Sequence, residues 1–188
     1  MITNDLRVKL PISDTVTAYH TPISREIYEA NFRLLGETKI ALIGDNVRHA
    51  YMASGDAVLY LRQCGRDMAA ERGGSGDFGA DALLADIKRL TLIIAPGPQG
   101  WNSVPVDVAL ASGFITADEW ADAEAALVFF TAWMAGVSRK ERLKQMSFSA
   151  QLIGGSTTSS SPAELISSLQ QPSQTANSDQ SAGSSVPS

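Results

Sequence analysis

A chain of 188 residues with 44% hydrophobic content can bury one good core, which predicts a single globular domain plus whatever is not globular. The formal charge of -5 and a pI near 5.0 exclude a general affinity for nucleic acid, because phosphate binding draws on clustered Lys and Arg. The one basic cluster, Arg139, Lys140, Arg142 and Lys144, reads as a solvated helix face.

The single cysteine, Cys64, cannot close an internal disulfide, and the first residues lack the pattern of a secretory signal. The longest uncharged apolar run, 125–137, is shorter than the roughly 20 residues of a membrane-spanning helix. Together these features predict a soluble protein of a reducing cytoplasm.

In chain order, residues 6–10 alternate as Leu-Arg-Val-Lys-Leu, residues 15–19 are rich in strand-favouring types, and residues 11–14 between them have turn chemistry. This predicts a two-stranded β-hairpin over 1–20 that leans on a helix. Thr21-Pro22 announces that helix, with Ile23, Ile27, Ala30 and Leu34 at helical spacing, running past Gly36 to Gly44. Val47, Ala50 and Tyr51 suggest a short helix within 45–54. Residues 56–72 form a further one, carrying Ala57, Leu61, Cys64 and Met68 on one face. A glycine-rich loop, 73–79, ends it. The next helix is expected over 81–94, with Asp81 as cap and Leu83, Ile87, Leu90 and Ile94 as stripe. Residues 95–104, with two prolines and two glycines around Trp101, read as a connection, and Pro105 and Gly113 bracket a short helix.

The most apolar and best-punctuated stretch is 116–134, the expected central helix. Thr116 and Glu119 make a capping box, and Asp118, Glu119 and Asp122 suit the positive end of the helix dipole. Trp120, Ala123, Leu127, Phe130 and Met134 line one face, while Ala126, Phe129, Trp133 and Val137 line an adjoining one. An arc this wide must be packed on two sides, or keep one side for a partner. Gly136 supplies a stop, and Ser138 with Glu141 reads as a second capping box.

From Gly154-Gly155 onward the composition turns to Ser, Thr, Gln and Pro, which predicts a disordered tail over 154–188. One island interrupts it, Ser161-Pro162-Ala163-Glu164 followed by Leu165, Ile166 and Leu169. It reads either as a short helix that folds onto a partner or as a transient turn. The predicted fold class is therefore mainly α, a small helical domain over 21–153 with an N-terminal two-stranded hairpin and a disordered tail.

Motifs that carry chemistry are scarce. The loop GGSGDFG lacks the Lys and Ser or Thr of a phosphate loop and the glycine spacing of a nucleophile elbow, so it reads as a flexible connector. His20, His49 and Cys64 stand in no spacing that metal sites use. Acid pairs such as Asp118 with Asp122 or Glu119 with Glu124 are explained by caps and the helix dipole. No enzyme activity, metal or cofactor is expected.

The stretches TVTAYHTPISREIYEANFRLL and ALLADIKRLTLIIAPGPQGWNSVPVDVALASGFITADEWADAEAALVFFT, with the GGSTTSS tail, together resemble tail assembly proteins of long-tailed bacteriophages. The resemblance implies a tail assembly chaperone. Such a protein binds the long, helix-rich tape-measure protein and keeps it soluble while tail-tube subunits polymerise around it. It implies a host-cytoplasmic protein absent from the finished particle, with the tape-measure protein, the tail-tube protein and further copies of itself as partners. In several such families a ribosomal frameshift makes a longer form that recruits the tube subunit. Phe129, Phe130 and Trp133 are candidate client anchors, although core burial is the preferred reading of all three, with Leu165, Ile166 and Leu169 as a second candidate set. The rival classes are a structural virion protein, such as a tail completion or head-tail connector subunit, and an enzyme with a diffuse site.

Overall fold

The computed structural model describes residues 6–44, 52–98, 100–138 and 140–170. Its strands are β1 Arg7–Pro11, β2 Thr17–His20, β3 Thr91–Gly97, β4 Gly100–Pro105 and β5 Ser156–Thr158. Its α-helices are α1 Arg25–Ile43, α2 Ala57–Glu71, α3 Ala80–Arg89, α4 Val106–Ala111, α5 Ala117–Met134, α6 Arg142–Leu152 and α7 Pro162–Gln170, with a 3-10 turn at Met52–Asp56. Most of the short helix expected within 45–54 lies outside the described residues.

The fold is mixed α/β, which corrects the mainly-α expectation. The five strands form one antiparallel sheet in the order β4-β3-β2-β1-β5. The N-terminal hairpin forms as expected, but both its edges are taken, β2 by β3 and β1 by β5. The error lies at 90–105. Leu90 and Ile94 complete a helical stripe on paper, yet α3 stops at Arg89 and the apolar run Thr91-Leu-Ile-Ile-Ala is β3. A short continuous apolar run satisfies both periods, and β-branched residues buried on both faces favour a strand. Thr91 and Ile93 are buried on one face and Ile94 on the other. The presumed connection around Trp101 is β4, an edge strand that tolerates its one proline, Pro105, at its end.

The expected tail is also partly ordered. Gly154, at φ +74°, and Gly155 turn the chain tightly into β5. A Cβ at Gly155 would lie 2.6 Å from the Lys9 carbonyl oxygen, so a side chain there would push β5 off β1. Ser161 and Glu164 then form a reciprocal cap, and α7 follows.

Helix α5 is central. Nine of its residues are buried, from Trp120 to Ala132, and its neighbours include α1, α2, α3 and α6. The wide apolar arc is thus packed on several sides. Its start has the expected box, Thr116 N–H donating to Glu119 Oε2 at 2.7 Å and Glu119 N–H to Thr116 Oγ1 at 3.2 Å. The hydrogen bonds from Thr116 hold the Glu119 carboxyl below its ordinary pKa. Other caps moved. Helix α1 is capped by Ser24, while Thr21, just past the end of β2, donates its N–H to the Leu90 carbonyl. Asp77, not Asp81, caps α3, accepting from the backbone of Gly79 and Asp81. Ser138 and Glu141 form no side-chain box, and α6 begins at Arg142.

Register gives the sheet two unlike faces. Val8, His20 and Thr91 form one row and Leu10, Ala18, Ile93 and Val104 the next, both turned toward the helices. Leu10, Ala18 and Ile93 join the main core with Leu34, Leu61, Leu83 and Phe129, while Val8 packs with Phe130, Met146 and Ala150.

His20 is fully buried in that layer, its ring edge-on to Phe130. Thr91 Oγ1 donates to the Ile87 carbonyl at 2.7 Å, so its lone pair must accept from His20 Nδ1–H at 2.9 Å. This fixes the tautomer and leaves Nε2 a bare acceptor with no protein partner. Burial first, then the nearby Arg7 charge, lowers the His20 pKa from 6.5 to about 3. The unfolded chain protonates this group below pH 6.5 and the folded chain does not. Stability from neutral His20 is therefore complete above pH 6.5 and declines as pH falls toward 3.

Two outcomes follow. Urea titrations should lose about 2 kcal/mol between pH 7.5 and 5, and His20→Asn, which keeps a donor for Thr91, should flatten that slope whatever its own mean stability. Thr116→Ala should cost about 1 kcal/mol, read as a shift in the urea midpoint at unchanged slope.

Candidate interaction surface

The residues named from sequence as client anchors separate in the structure. Phe129 and Phe130 are each 1% exposed. Phe129 belongs to the main core and Phe130 to the cluster beneath α6, so neither offers surface to a partner while the chain is folded. Trp133 differs. It lies half-buried in the last turn of α5, stacked on Phe129 with ring centroids 5.7 Å apart and tilted against Phe148 of α6 at 5.9 Å. Its Nε1–H donates to Gln145 Oε1 at 3.4 Å, so one ring spans core and surface.

The end of α5 is fixed by α1. Lys39 Nζ donates to the carbonyls of Trp133 and Ala135 at 2.8 and 2.9 Å, neutralising acceptors that a helix end leaves without partners. Partial burial of this ammonium lowers its pKa. Gly136 N–H donates to the Tyr28 hydroxyl at 3.1 Å. Phe32, one turn beyond Tyr28 on α1, is 62% exposed, and Phe148 is 46% exposed.

Accessible aromatic side chains thus stand on α1 (Tyr28, Phe32), at the end of α5 (Trp133) and on α6 (Phe148), with α1 and α6 each held to the end of α5. Lys140, Arg142 and Lys144 are exposed on the segment leading into and through α6. The sequence reading missed Phe32 and Phe148. The available signal was that each is a large apolar residue off the apolar stripe of its helix. Ile40 on α1 and Leu59 on α2 are further exposed apolar residues.

The second expected set, Leu165, Ile166 and Leu169, is brought together on α7. That helix lies against the chain's own sheet and contacts β4.

The remaining chemistry-bearing residues serve the fold. The loop 73–79 is pinned rather than free: Gly65 of α2 abuts the Asp77 carbonyl so closely that a Cβ would overlap it, and the Arg72 guanidinium lies 4.1 Å over the Phe78 ring. Cys64 is half-buried against Thr38, and burial pushes its thiol up. Of the acid pair weighed from sequence, Glu119 is the α5 cap. Glu124 has its pKa raised by burial, opposed by a hydrogen bond with Trp120 and by the Arg62 and Lys88 charges. His20 and Cys64 stand on different layers, and His49 lies outside the described residues. Among the described residues, no three His, Cys, Asp or Glu side chains converge as a metal site, and no helix is long and apolar enough to cross a membrane.

Comparison of the chain with protein-family models, with curated proteins and with solved structures returned no match.

Proposed function

We propose that this protein is a phage tail assembly chaperone that covers apolar helical faces of a tape-measure protein until tail-tube subunits replace it. The observation that carries the reading is the set of accessible aromatic side chains, Tyr28, Phe32, Trp133 and Phe148, on helices held to the end of α5. Aromatic side chains on a rigid frame lose little conformational freedom on contact, which makes them effective anchors. The resemblance of 15–35 and 82–131 to tail assembly proteins supplies the client. The proposed role carries with it that the protein does no catalytic work, acts in the host cytoplasm and is absent from the finished particle.

Magnitudes favour reversible coating. Full burial of one Phe is worth about 1.5–3 kcal/mol, and these side chains are already half covered. A net of about 4 kcal/mol per copy corresponds to a dissociation constant of about 1 mM. A single copy would hold weakly and release readily, whereas many copies along one long client, contacting each other as well, would hold it by multivalency.

Co-expression with the tape-measure protein tests the reading through the fraction of that partner left in the supernatant. Phe32→Ser, at a 62% exposed side chain, should leave the melting temperature within about 2 °C of wild type, Phe148→Ser should lower it somewhat further by removing the contact with Trp133, and both should reduce the soluble fraction. Trp133→Ala should lower both solubilisation and stability. A tape-measure protein that stays insoluble beside folded wild-type chain would remove the chaperone reading. Persistence of the protein in purified particles would favour a structural tail completion or connector subunit instead.

A further inference from the structure

The face of the sheet turned away from α5 carries Lys9, Tyr19 and Leu92 in one row, and Thr17, Ile94 and Ser103 in the next, with Trp101 beyond. Ile94 is 0% exposed there and Tyr19 3%. The segment after β5 supplies cover over Tyr19 and β4. The Tyr19 hydroxyl donates to the Ser160 carbonyl at 2.5 Å, α7 runs onto β4, and Gln170 Nε2 reaches to 3.1 Å from where a Cβ on Gly100 would stand. The segment 159–170 thus crosses the sheet from the β1 side to the β4 edge.

The occupant commits less to this contact than the site does. No residue of α7 is buried, Leu165 and Ile166 are half-covered, and Leu169 is 43% exposed. A cleft of about 370 Å³ remains beside it, lined by Arg7, Tyr19, Thr21, Leu92, Ser160 and Glu164 among others. Nine residues are too few for an independently stable helix, so α7 is helical because it is docked. Three residues, 159–161, separate it from β5, so its release leaves the strand order intact.

We infer that this outer face is a receptor site for an amphipathic helix of a partner protein, and that α7 occupies it in cis as a displaceable stand-in. The chemistry of the stand-in defines the partner: a Leu-Ile-x-x-Leu stripe with a carboxylate in the first turn. In α7 that carboxylate is Glu164, which lines the same cleft as Tyr19 and Arg7, and Arg7 and Lys9 of β1 supply positive charge on the same face; the Tyr19 hydroxyl has its pKa raised by burial, with the Arg7 charge opposing and Glu164 adding to it. A longer partner helix would add contacts over Leu92 and the cleft that α7 leaves open, and so outcompete a tethered helix of three apolar residues. The partner's identity as the tape-measure protein rests on the function proposed above; the site itself does not.

The test uses the full chain and a peptide of residues 161–170, which lacks the Ser160 carbonyl and carries fluorescein at its C-terminus, read by fluorescence anisotropy. Leu165→Ser/Ile166→Ser/Leu169→Ser should free the face and bind the peptide saturably, at least tenfold tighter than wild type does, and a Glu164→Lys peptide should bind more weakly. Equal binding to both chains, or no binding by a variant with wild-type circular dichroism, overturns the inference. Should the triple variant fail to fold, Tyr19→Phe decides, because it removes the bond to Ser160 and keeps the ring; at least threefold tighter peptide binding supports the site and no change overturns it. A wild-type chain that elutes as a dimer, with α7 cross-linking to the other copy, assigns the face to a second molecule and also overturns it. None of these readouts involves the tape-measure protein, so failure here leaves the co-expression result standing.

Discussion

Helix α5 is apolar around nearly its whole circumference, and a single covering layer would leave much of it wet. The structure meets this with the sheet's inner face, with α1, α2 and α3, and with α6 over Phe130, so that buried residues run from Trp120 to Ala132 with few interruptions. Each neighbour in turn has its own apolar stripe covered by α5. The sheet is the largest flat surface in this arrangement, and its construction from both ends of the chain follows from the need for one wide enough to help cover the helix. Where coverage ends, at Trp133, the core emerges as surface, and the same stacked pair of rings belongs to both.

Much of this was legible in residues that satisfy one structural period and no other. The Thr116 box, the α1 and α2 stripes and the first hairpin were each read from local chemistry, and each is local in the structure. The Ser161 to Glu164 cap was legible as well, although composition argued for disorder around it. What sequence could not supply was pairing between distant segments. Residues 91–95 fit a helix until β2 is laid beside them, and Ser156–Thr158 is strand only because β1 offers an edge. Gly154-Gly155 looked like the start of disorder for the same reason, since the close approach to Lys9 that demands glycine there is made by a residue nearly 150 positions away.

The candidate surfaces were legible to a different degree. An aromatic run in α5 signals importance without saying whether it is core or contact, and the structure divides it, Phe129 and Phe130 inward and Trp133 at the boundary. Phe32 and Phe148 become informative only once their helices are placed, because an off-stripe aromatic gains meaning from its neighbours. The two faces of the molecule then differ in kind. The accessible aromatics stand on helices held to the end of α5, whereas the outer sheet face is already filled by a short helix of the same chain.

The pairing of Arg7 with Thr158 has a consequence for synthesis. The ribosome delivers β1 ahead of the helices, but the strand that covers its outer edge comes some 150 residues later, after every helix of the main core. Until then β1 and β2 can form a hairpin whose open edge is a template for other chains. Long separation between paired strands slows folding as well as delaying it. In a cell making many copies at once, the interval between emergence of α5 and arrival of β5 is when this protein would itself need protection from aggregation.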